Sequence, residues 1–182
     1  MEGKNFLMFS EGKKSASQIS AGVINPGVLK KFTTFWKAQE QIDGLNKTLT
    51  EMEGYLGQNF LVNEPVHRIF HDENEKALWQ IKSQTDELKP FLSNDFKIFS
   101  GVEDPFGTGE VLQSARLDVA GFFSKMFDYL TKKNHLVKEK FDYSQLNPSE
   151  RLYGETVFNK IIFAEGMGVK DNPYLSTTEE IG

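Results

Sequence analysis

Apolar residues along this chain recur mostly at spacings of three and four, the rhythm of one face of a helix. It is clearest over residues 108–130. Leu112, Ala115, Val119, Phe122, Met126 and Tyr129 mark one face, and Phe123, Phe127 and Leu130 widen it past half the circumference. A helix so apolar must be covered by several neighbours, which predicts the central helix of a bundle. Thr108 or Gly109 would start it, with Glu110 placed to favour its dipole.

The same rhythm predicts three further helices. Asn25-Pro26 reads as an N-cap followed by a proline in the first helical position. From there Val28, Phe35, Ala38, Ile42, Leu45, Leu49, Met52 and Leu56 form a seam like that of a coiled coil, thickened at its start by Phe32 and Trp36. Gly57 would end this helix. A second helix is expected from Asn63, with Pro65 in its first turn, to Pro90. Its apolar stripe (Val66, Ile69, Phe70, Ala77, Leu78, Ile81 and Leu88) is thin, and its charged face is wide. A last helix would begin at Asn147-Pro148, carry Leu152, Tyr153, Val157, Phe158, Ile161 and Ile162, and stop at Gly166 and Gly168.

The expected fold is therefore all-α: about four helices in a bundle over residues 25–168. An N-terminal arm over 1–24 and a C-terminal tail over 169–182 flank it, the arm holding an apolar tip at Phe6–Phe9 that reads as a short strand or a docked arm. Residues 90–107 lack a helical pattern and form a long irregular loop, within which Phe96–Phe99 has the look of a short strand. Loops this long usually carry a function.

Composition sharpens the picture at three points. Sixteen phenylalanines against five tyrosines and two tryptophans predict a Phe-rich core, or rings that face a partner. The chain has no cysteine, which excludes a disulfide framework and thiolate chemistry. A net charge of −5, from 26 acidic and 21 basic residues, argues against nucleic acid as the main partner. Lys132, Lys133, His135, Lys138 and Lys140 cluster behind the central helix, but cations are expected at a helix C-terminus on dipole grounds alone. No apolar run has the length of a membrane span or a signal peptide, so the cytoplasm, or a particle assembled there, is the expected compartment.

One constellation could carry metal chemistry. Glu64, His67, His71 and Glu75 are spaced three, four and four, which puts them on one face if the segment is helical. His67 and His71 would hold one ion, with Glu64 or Glu75 as third ligand, and Zn, Fe or Mn would be the cofactor. The second Glu-x-x-His that di-iron bundles need is missing. So is the Glu between the histidines that zinc proteases use. No nucleophile motif is present, and Gly107-Thr108-Gly109 lacks the partners of a phosphate loop. No catalytic residue and no cofactor are therefore expected, with the metal face as the alternative.

The balance favours a non-catalytic component of an assembly: a homo-oligomer or a larger complex of protein partners, such as a virus particle or an adaptor. Its contact residues are expected at Phe6 and Phe9 in the arm, Phe32 and Trp36 on the first seam, Phe96, Phe99 and Phe106 in the aromatic loop, and Tyr174 and Leu175 in the tail.

Overall fold

The structure, a computed structural model, describes residues 5–13 and 15–175. In chain order its elements open with strand β1 (Met8–Phe9), helix α1 (Ala16–Ile19) and strands β2 (Val23–Ile24), β3 (Gly27–Val28) and β4 (Thr33–Thr34). Helix α2 (Ala38–Leu56), strands β5 (Leu61–Val62) and β6 (Val66–Ile69), helix α3 (Glu73–Lys82) and strand β7 (Leu92–Lys97) come next. Then come β8 (Thr108–Val111), β9 (Ala115–Leu117), helix α4 (Val119–Lys132) and strands β10 (Leu136–Val137), β11 (Leu146–Asn147), β12 (Leu152–Tyr153) and β13 (Thr156–Val157).

The fold is thus mixed, with thirteen strands in five small sheets among the described residues, and the all-α bundle is overturned. The reasons are local. Asn25 does not cap a helix; its side-chain oxygen accepts from the Gly27 N–H (3.0 Å), which makes a turn. Asn147 does the same for Glu150 (3.2 Å). An Asn oxygen serves an Asx turn as readily as an N-cap, so Asn-Pro marks a change of direction without fixing the type of the next element.

The expected second helix opens instead as β6, and α3 begins only at Asp72, whose carboxylate accepts from the Glu75 N–H (2.7 Å). The expected central helix is split. Its first half is β8 and β9, joined through Gln113 in the left-handed region (φ 58°). The Ser114 hydroxyl donates to the Val111 carbonyl (2.6 Å) and accepts from the Val66 N–H (2.8 Å), which sets the turn between them. Its second half is α4, capped by Asp118 on the Gly121 N–H (3.0 Å). Residues 146–157 fold as the β11–β12–β13 meander, with Arg151 (φ 55°) and Gly154 (φ 56°) turning the chain in place of the expected helix, and 158–165 are irregular.

Two compact units emerge. The larger spans residues 15–133. In it, β6–β8–β7 form an antiparallel sheet with His67 opposite Glu110 and Arg68 opposite Gly109. Phe32, Phe70, Trp79, Leu88, Leu92 and Val111 make the core against this sheet. Gly109 is required there: a Cβ would lie 2.5 Å from the Trp79 ring. The Trp79 indole donates to the Ser93 carbonyl (2.8 Å), so its one polar group is satisfied although the side chain is fully buried. A second sheet, β2–β9–β5, is tied to the end of α2 by Glu53, whose carboxylate accepts the Phe60 (2.6 Å) and Leu61 (3.1 Å) N–H groups. Gly57, at φ 65°, ends α2 with its N–H on the Glu53 carbonyl.

The smaller unit holds residues 5–13 and 134–175. β1 pairs in parallel with β10, and Phe9 packs edge-on against Phe141 and Tyr153. The Tyr143 hydroxyl donates to Glu165, whose other oxygen accepts from the Asn172 side chain (2.7 Å). That carboxylate pushes the Tyr143 phenol up to about 12. Where described, the Phe6–Phe9 tip, expected as a short strand or a docked arm, contains the paired strand β1, and Gly166–Asp171 is a short 3-10 helix. The rest of the expected ends, 1–4 and 176–182, lies outside the described residues.

Candidate interaction surface

The four expected metal ligands do not share a helix face. Glu64 precedes β6, His67 lies on it, His71 comes after it and Glu75 is on α3. The chain brings Glu75 to His71 and Arg68. Its carboxylate accepts the His71 backbone N–H (2.7 Å) and two guanidinium N–H groups (2.7 and 3.1 Å). Burial alone would push this carboxyl up, but the His71 N–H and the Arg68 charge together hold it below the usual range. His67 points to the opposite side of the sheet. Among the described residues no three His, Asp or Glu side chains converge as a metal site would require.

His67 belongs to a different cluster. On its face of the sheet its Nδ1 lies 3.3 Å from the Thr108 hydroxyl and its Nε2 3.8 Å from Glu110. Glu110 also accepts from the Lys97 ammonium, and the Phe99 ring stands edge-on to the imidazole. Glu110, expected at a helix start, instead stabilises this sheet face. A hydroxyl, an imidazole and a carboxylate in sequence have the order of a nucleophile relay. Here the hydroxyl is buried and donates to the Lys97 carbonyl (3.0 Å), so its proton and its position serve the sheet. Burial pushes the His67 pKa down; Glu110 opposes the shift and Lys97 adds to it.

The expected contact aromatics divide. Phe32 is 3% exposed and belongs to the core; Phe96 and Phe106 pack against it. Phe6 stacks on His135 and Phe9 joins the aromatic cluster of the smaller unit. The Tyr174 hydroxyl donates to the Leu146 carbonyl (2.9 Å), although its ring, like Leu175 and Phe99, stays partly open. Trp36 is different: it is 78% exposed, and its neighbour Phe35 is 49% exposed.

The backbone sets this display. After β4 the Phe35 N–H donates to the Pro26 carbonyl (3.1 Å), and Lys37 then turns through the left-handed region (φ 51°) to start α2. The Gln41 side chain donates to the Trp36 carbonyl (2.6 Å), which holds the turn in place of a side-chain cap. Phe35 lines an open groove of about 280 Å³ with Ile24, Pro26, Ala38, Ile42 and Leu45, and Asn25 and Gln41 complete it. Among the described residues no charged side chain lines the groove. The Lys37 ammonium sits 5.3 Å from the centre of the Trp36 ring and pairs with Glu40 (2.8 Å). The helical rhythm places Phe35 in a packed seam. The signal it misses is the run Phe35-Trp36-Lys37 beside two β-branched threonines, which reads as strand then turn.

No protein-family model matches this chain, and the comparison with solved structures found no match. Among the described residues no helix is long and apolar enough to cross a membrane.

Proposed function

We propose that this chain is a non-catalytic interaction component, a subunit or adaptor of a larger assembly formed in the cytoplasm, and that it meets its partner at the Phe35–Trp36 groove. One observation carries this reading: two consecutive aromatic residues, Phe35 and Trp36, stand exposed, and Phe35 lines an apolar groove that has no charged side chain among the described residues. Tryptophan is enriched among interface hot spots, which seat large side chains in apolar pockets. A solitary exposed apolar residue would need no such explanation; a contiguous pair with a groove does.

The test is site-specific photo-crosslinking in the native source. A photoreactive phenylalanine at position 36 is expected to give one discrete adduct, and the same group at exposed Gln84, after α3, is expected to give none. Equal labelling at the two positions would remove the groove as the contact surface.

A further inference from the structure

Resting on the interaction reading above, we infer that the partner presents an apolar side chain followed by a short acidic stretch, the first seated in the groove and the second on the tip of the β3–β4 hairpin. The argument is one of charge placement. Residues 12–39 contain five lysines and no aspartate or glutamate, in a chain whose net charge is −5. Within the larger unit, Lys30 and Lys31 sit exposed in the turn between β3 and β4, where the Lys31 N–H donates to the Val28 carbonyl (3.0 Å). Among the described residues neither enters a salt bridge, whereas Lys37 is paired with Glu40.

The carboxylates nearby leave the groove side uncovered. Ala38, Gln41, Ile42 and Leu45 share one face of α2, and at about 100° per residue Glu40 and Asp43 fall about 150° away from it. Glu87 does reach the hairpin, but both of its hydrogen bonds are made to Thr34. An uncharged apolar groove therefore lies at one end of the hairpin and two free cations at the other. From Pro26 to Lys30 is four residues, of which Gly27–Val28 is strand and the rest enters the turn, so the span is at most about 13 Å. An extended partner segment spans that distance with its anchor residue and carboxylates three to five positions apart. The concavity of the groove favours an inserted side chain over a flat lipid surface.

Trp36 is a built-in reporter, because the chain's other tryptophan, Trp79, is fully buried. The probes are three short synthetic peptides with one Phe-Leu anchor, followed by aspartates and glutamates, by glutamines or by lysines, and phosphatidylserine vesicles. The acidic peptide is expected to shift Trp36 emission to the blue and to bind about tenfold more tightly than the glutamine peptide. That preference should fall with added salt and vanish in the double variant Lys30→Glu, Lys31→Glu, whose exposed turn positions leave the core untouched. Equal binding of the three peptides, or a response to vesicles alone, overturns the proposal. So does silence from every probe. A discrete crosslink at position 36 combined with that silence would keep the interaction reading and discard only the acidic partner.

Discussion

Phe32 lies in the turn between β3 and β4 and Trp36, four residues on, between β4 and α2, and they meet opposite fates. The Phe32 backbone adopts a left-handed conformation (φ 47°) that sends its ring edge-on against Trp79, 5.5 Å between centres, where sheet and α3 cover both. The Trp36 ring, set by a second left-handed residue just after it, carries the Lys37 ammonium over its face and stays largely exposed. The residue chemistry is the same and the coverage is not. One region is closed by Gly109, which lets the sheet approach the indole, and the other is left open by a groove that nothing in the larger unit fills. The first accounts for stability and the second is available for recognition.

That contrast can be broken from its strongest side first. Trp79→Ala should cost about 3–5 kcal/mol in denaturant unfolding, since it empties the core and strands the Ser93 carbonyl. Gly109→Ala should cost about 1–3 kcal/mol in the same assay, because its methyl group would meet the Trp79 ring at 2.5 Å and Phe70 at 2.8 Å. A smaller effect belongs to the other face of the same sheet. Burial lowers the His67 pKa below that of the unfolded chain, so the unfolded state takes up the proton first as pH falls. Stability from this group is complete above pH 6.5 and declines as pH drops below it, toward the lowered folded value. Unfolding titrations from about pH 7.5 to about pH 5 should show that slope, and His67→Gln should flatten it. Trp36→Ala should change stability least, within about 0.5 kcal/mol, while weakening binding of the acidic peptide in a calorimetric titration. A large loss of stability in Trp36→Ala would mean that the two regions are one.

The parts of the fold legible in the sequence are those whose signals are local. The ending of α2 at Gly57 can be read because an αL cap needs only glycine and the preceding turn. The apolar run of Phe122, Met126 and Leu130 does lie on a helix, α4, because nothing in that stretch competes with it. Most strands, β1 and β7 apart, escape notice for two reasons. Most are two to four residues long, too short for alternation to be told from a spacing of three or four. Their partners are also remote: Val23 pairs with Arg116 and His67 with Glu110, and no local pattern announces such pairings. The helix that would gather the four metal-face residues is absent, and a spacing of three and four brings side chains together only on helical backbone. Of the contact residues, Trp36 can be named from sequence, but its exposure cannot. The same aromatic pattern contains Phe32, which is buried.

The central claim is that the open aromatic pair is covered in the working assembly. Oxidative footprinting of Trp36, read by mass spectrometry on the isolated chain and on the chain in its native complex, tests it most directly. The account predicts rapid oxidation of Trp36 in isolation, strong protection in the complex, and no oxidation of buried Trp79 in either. Equal oxidation of Trp36 in both states would contradict it.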